Sequence, residues 1–100
     1  MRPLTVTFAP QARSDIGQIH EWLAERSANA ATGVITSIRE TSQLIGEYPM
    51  IGRVTEFAGV RVLPVIRYPY LVYYLVEAHE VVIVHVRHGA RAAPESRELG

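Results

Sequence analysis

The chain contains no cysteine and no lysine. Without cysteine there is no disulfide framework and no thiolate metal site, and a reducing cytoplasm is the simplest home. All ten basic residues are arginine, and ten acidic residues balance them to a formal net charge of zero. That balance removes the long-range positive field with which a general nucleic-acid binder gathers phosphate contacts. The exclusive use of arginine has two readings, a need for planar bidentate donors at particular sites or a GC-rich coding bias. Long apolar runs are missing too. Glu77, His79 and Glu80 break the most hydrophobic region, so nothing approaches the roughly 18 uninterrupted apolar residues of a membrane span. The N-terminus, one arginine followed by an alternating segment, does not read as a signal peptide. Internal repeats, a phosphate-cradling glycine loop, a nucleophile elbow and a dinucleotide fingerprint are all absent.

What is present is enough for one core. A chain of 100 residues with 48% hydrophobic content supports a single domain and not two. Leu4, Val6 and Phe8 alternate with Thr5 and Thr7, which predicts a half-buried strand over residues 3–8. Pro10 suits the first position of a helix, and Ala12, Ile16, Ile19 and Leu23 recur at helical spacing, with Trp22 flanking the stripe. This helix is expected over 10–26. Asn29 is the expected N-cap of a second helix over 30–47, whose stripe is Val34, Ile35, Ile38, Thr41 and Ile45. Two amphipathic helices joined by a few residues pack as an antiparallel hairpin and need a sheet to cover them.

After a loop-like stretch around Pro49–Arg53 and Thr55–Gly59, the composition turns to Val, Ile, Leu and Tyr. Residues 60–66, 70–76 and 81–86 predict three strands in succession, with connections short enough for an antiparallel meander. Pro64 lacks an N–H, so its strand is expected at an edge or with that nitrogen facing outward. The nearly continuous apolar run at 81–86 predicts an interior strand. The expected fold is α+β, with the order β-α-α-β-β-β over residues 1–91. Residues 92–100, with Pro94 and mixed charge, are expected to form a tail that orders only on binding.

Ala12 and Asp15-Ile16 early in helix one, Pro49 followed by Gly52-Arg53, Arg61, the aromatic segment Tyr68 to Tyr74, and His88-Gly89-Ala90-Arg91 occur in this order. On these residues the chain resembles the RelE/ParE superfamily of type II toxin–antitoxin toxins along nearly its whole length. Ala9 departs from the Ser or Thr that often precedes the proline, which removes a side-chain cap. The RNA-cleaving members are typically strongly basic, so this neutral chain ending its last strand in His-Gly-Ala-Arg is more similar to the ParE side.

An endonuclease of this fold would need a proton-transfer group near the 2′-hydroxyl and cations at the scissile phosphate. The candidates are Arg61 and Arg87 for charge and His85 or His88 for the proton, with Arg67 and Tyr68, Tyr70, Tyr73 and Tyr74 nearby. Strand alternation puts Arg87 and His85 on one face and His88 on the other with Val84 and Val86, so they do not all converge. The tyrosines read as sheet residues packed under the helices with hydroxyls at the rim, and His85 as a hydrogen-bonded, partly buried imidazole. Arg53 and Arg61 are alternatively expected to hold their loop by pairing with Glu56. His85 and His88 lack a matching carboxylate, so no metal or other cofactor is expected.

The ParE resemblance implies a non-enzymatic toxin that poisons DNA gyrase, with Arg53, Arg61, His88 and Arg91 as target-binding candidates. It also implies a cognate antitoxin that docks on exposed apolar surface. The alternatives are a ribosome-dependent mRNA endonuclease of the RelE type, and a degenerate member that binds antitoxin but poisons nothing. No membrane partner is expected.

Overall fold

In the computed structural model, residues 3–90 are described; Arg91 and the expected tail lie outside them. The elements are β1 (Thr5–Phe8), α1 (Pro10–Ala24), α2 (Ala28–Glu47), β2 (Arg53–Val54), β3 (Val60–Pro64), β4 (Tyr70–Val76) and β5 (Glu80–His88). They form one five-stranded sheet in the order β1-β5-β4-β3-β2. The meander β3-β4-β5 is antiparallel, whereas β1 runs parallel to β5, with Thr5 opposite Glu80 and Phe8 opposite Ile83. The helical hairpin carries the chain from β1 to the far edge at β2, and the antiparallel strands β3 and β4 return it to β5 beside β1.

Proline opens α1 as expected, and Ala9 makes no side-chain cap. The cap of α2 falls on Ser27 and not on Asn29: the Ser27 hydroxyl accepts a bond from the Ala30 N–H at 3.1 Å, which places Asn29 inside the first turn. The hairpin lies on one face of the sheet. There Ala12, Val34, Ile38 and Ile45 close over Val72, Tyr74, Val81 and Ile83, all almost fully buried. A smaller cluster of Val60, Val62, Tyr73 and Val84 forms on the other face, packed by Phe57, Leu71 and Leu75.

Three expectations about the sheet need correction. A fifth strand exists, the two-residue β2 inside the stretch expected to be loop, pairing Arg53 and Val54 with Val62 and Arg61. It shields only part of β3, so Pro64, opposite Leu71, still sits where the outer edge is open, which suits a residue without an N–H. Second, β5 carries an irregularity: Tyr73 faces His85 but Tyr74 faces Ile83, so Val84 is the extra residue of a β-bulge. The bulge moves Val84 to the face of Tyr73 and leaves Val86 on the helix side, so the two valines do not share a face. Third, the tyrosines divide between faces, with Tyr70 and Tyr74 beneath the helices and Tyr73 opposite. Among the described residues no helix is long and apolar enough to cross a membrane.

Candidate functional site

The candidate residues fall into two groups, set by opposite sides of the sheet. The first gathers where β5 outlasts β1. Beyond Phe8 the chain turns into α1, and the Ala9 N–H makes the last backbone bond to that edge, with the Ile83 carbonyl at 2.9 Å. Further along, Asp15 of α1 takes over: its Oδ2 accepts the Val86 N–H at 3.0 Å and lies 2.7 Å from His85 Nδ1. Both side chains are about nine-tenths buried. The carboxylate thus stands in for a missing strand and fixes the imidazole that the bulge presents. Burial pushes the Asp15 carboxyl toward higher pKa, but bonds from His85, Val86 and Gln11 with the His85 charge outweigh it, and the net pKa is lowered.

Arg87 reaches to the other face, where its Nε donates to the Tyr73 hydroxyl at 3.0 Å and its Nη1 to the His88 carbonyl at 3.1 Å. The Tyr73 and His85 rings lie 5.8 Å apart. His88 sits edge-on to Tyr70 at 5.3 Å, and its Nδ1 accepts the Ala90 N–H at 3.0 Å, shaping the turn that follows β5. Between α1 and this end of β5 is a cleft of about 320 Å³ lined by Asp15, Gln18, Trp22, Tyr70, Arg87 and His88. Trp22 forms its outer wall, half-exposed, with the Arg26 guanidinium stacked 3.8 Å from the ring.

The second group lies across the sheet. Arg61 alternates with Val60 and Val62 of the opposite face and stands beside Tyr74 on the helix side. Its Nη1 donates to the Gly52 carbonyl at 2.7 Å and to the Met50 carbonyl at 3.3 Å. The buried Tyr74 hydroxyl donates to the Pro49 carbonyl and accepts the Gly52 N–H, each at 2.8 Å. Burial raises the Tyr74 pKa, although the Gly52 N–H and the Arg61 charge pull the other way. Arg61 therefore holds its loop through backbone carbonyls and not through Glu56. Arg53 is exposed on β2.

The structure brings His85, Arg87 and His88 to one end of β5 and leaves Arg53 and Arg61 at the far edge. Arg61 and Arg87 lie on opposite faces. Arg91 is outside the described residues. Asp15 is the site residue that the sequence alone left without a role, although Asp15, Gln18 and Trp22 at i, i+3 and i+7 mark one side of α1. Among the described residues no three or more His, Asp or Glu are grouped to hold a metal ion.

A family model described as the ParE toxin of the type II toxin–antitoxin system parDE matches residues 6–93. The chain belongs to this toxin family. No curated protein sequence matches it. Among solved structures, a chain of the chromosomal ParDE toxin–antitoxin system from P. aeruginosa superposes with a TM-score of 0.76 at 20% identity, covering 85% of this chain and 95% of that one. A chain of the toxin–antitoxin complex RelBE2 from Mycobacterium tuberculosis gives 0.62 at 24% identity, covering 91% and 97%. The conserved hypothetical protein HP0894 from Helicobacter pylori gives 0.55 at 16% identity, covering 85% and 93%. At these identities the structural likeness establishes the α+β fold, and family membership rests on the sequence model.

Proposed function

We infer that this ParE-family toxin acts by binding, poisoning DNA gyrase, and that a cognate antitoxin neutralises it. The observation that carries the binding reading over RNA cleavage is the separation of the cations: Arg61 and Arg87, which would share a scissile phosphate, lie on opposite faces of the sheet. Each is also committed within the chain, Arg61 to carbonyls and Arg87 to Tyr73. Phosphate stabilisation needs donors aimed at one point. The ParE relationship is what supports gyrase as the target in this reading.

A place for the antitoxin is supported by the groove between the helices, where Phe8, Ile16, Ile35 and Ile38 form an apolar floor rimmed by Arg13, His20 and Arg39. An acidic amphipathic segment matches both floor and rim. The test of the gyrase reading is supercoiling and DNA cleavage by purified gyrase with toxin titrated in, then with antitoxin added. Inhibition relieved by antitoxin is expected; unaffected gyrase at large toxin excess refutes it. One observation favours mRNA cleavage on the ribosome, the grouping of His85, Arg87 and Tyr73. Codon-positioned cuts in a translating extract, lost in His85 and Arg87 variants, would establish that reading instead.

A further inference from the structure

The cleft between α1 and the end of β5 holds polar groups that the fold leaves unused. Tyr70, which lines it, is only 8% exposed, yet its hydroxyl has no hydrogen-bond partner among the described residues and is not sealed from solvent. A buried tyrosine hydroxyl usually finds a partner. Beside it, the Gln18 amide nitrogen reaches only the Ser14 hydroxyl at a long 3.4 Å, and the amide oxygen accepts from no described residue. His88 has its Nδ1 filled by the Ala90 N–H, so the neutral ring carries its proton on Nε2 as a further donor. The wall is Trp22, held in place by Arg26, whose guanidinium stacks on the indole and donates to the Trp22 carbonyl at 2.7 Å. An exposed ring fixed in this way has little left to order on binding.

These groups select a ligand. A cleft of about 320 Å³ is at the small end of ligand pockets, which run from roughly 300 to 1,000 Å³, and it suits one ring system. Its charges cancel: Asp15 and Arg87 line it, and at the rim Glu25 lies 3.8 Å from Arg26. No net charge is left to gather phosphates. Trp22, Ile19 and Val86 are apolar surface for the faces of a flat ring, while Tyr70, Gln18 and His88 offer hydrogen bonds to its edge. A Phe, Tyr or Trp side chain brings at most one polar atom and would leave the other groups unpaired. A nucleobase has apolar faces and several donors and acceptors in its plane. The glutamine carboxamide, donor beside acceptor, matches the paired amino and ring-nitrogen edge of adenine, and bases stack well on indole.

We propose that this cleft binds a single unpaired nucleobase, adenine in preference, stacked on Trp22 with its edge on Gln18, Tyr70 and His88. The base is held by its ring and edge and not by a phosphate, which accords with the neutral chain. The inference goes beyond gyrase poisoning and does not depend on which protein the toxin targets.

Trp22 is the only tryptophan in the chain, so its emission reports on the cleft directly. Adenosine titrated into the purified full chain should quench that emission saturably, with half-saturation below roughly 1 mM. Tyr70→Phe and Gln18→Leu should each weaken binding roughly threefold to tenfold, the worth of one hydrogen bond. Both should melt like wild type, because the Tyr70 hydroxyl bonds to no described residue and Gln18 is exposed. Inosine, with a carbonyl in place of the adenine amino group, should bind more weakly; equal affinity overturns the pairing with adenine. A short single-stranded oligoadenylate distinguishes the sources of the base. Tighter binding than adenosine per base assigns the cleft to a nucleic-acid strand, and equal or weaker binding assigns it to a free nucleoside. Absence of saturable quenching by both up to about 10 mM overturns the proposal. So does quenching that neither variant alters, since the base would then rest on the exposed indole alone.

Discussion

Replacing Asp15 by alanine removes one carboxylate that fastens α1 to the bulge and to the open edge of β5. The side chain is 10% exposed, so solvent cannot easily replace it. Two buried donors lose their acceptor, the His85 imidazole and the Val86 N–H. Each orphaned buried donor costs about 1–3 kcal/mol, so Asp15→Ala should cost about 2–6 kcal/mol. Asp15→Asn keeps a carbonyl oxygen for one donor but gives up the charge, and should cost about 1–3 kcal/mol. In a domain of this size each kcal/mol moves Tm by roughly 4–8 °C, so both variants should melt measurably below wild type, with Asp15→Ala the lower. Urea titration and calorimetry measure the cost, and hydrogen exchange at the Val86 amide reads the mechanism, because only that amide has the carboxylate as its partner on the edge that β1 has left. An Asp15→Ala protein within about 0.5 kcal/mol of wild type, or with unchanged Val86 exchange, would falsify the claim that the carboxylate replaces a strand.

The lowered pKa of Asp15 makes its contribution fully present above its unfolded value near about 3.9, and lost as pH falls through the lower folded value. Acid titration of stability should therefore fall less steeply below about pH 4 in Asp15→Asn than in wild type. Tyr74→Phe leaves the Gly52 N–H without its acceptor and should cost about 1–3 kcal/mol, with faster proteolysis at residues 49–52; equal cleavage rates would show that Arg61 alone holds the loop. Ser27→Ala removes the α2 cap and should cost about 1 kcal/mol, while Ser27→Gly should cost only a few tenths, as read by chemical denaturation.

The helices were legible in the sequence because their apolar residues repeat at a period that only a helix satisfies, from Ala12 to Leu23 and from Val34 to Ile45. The cap was less so, since Ser27 and Asn29 both accept well and only backbone geometry distinguishes them. Strand β2 escaped detection because two residues cannot display a period. The bulge escaped because residues 81–84 are all valine or isoleucine, and an unbroken apolar run hides which residue is extra. Among site residues, His85 was recognisable as a buried imidazole from its valine neighbours. Its partner was not, because Asp15 and the Val86 it also binds are 71 positions apart and meet only when α1 lies beside β5. Arg61 was identified as a functional candidate, yet its engagement with residues 50 and 52 depends on the register that brings Tyr74 alongside.

The parallel pairing of β1 with β5 has a consequence for how the toxin comes into being. Thr7 and Glu80, joined side chain to side chain, are 73 positions apart, and β5 is the neighbour that both β1 and β4 require. Contacts so distant along the chain form late and slowly, because closing the loop must precede any gain from it. A nascent chain can wind its helical hairpin early, but the sheet has no closing strand until β5 has been synthesised. The sheet in this architecture is thus completed only once β5 has emerged, and products that stop before β5 should fail to fold and be open to degradation.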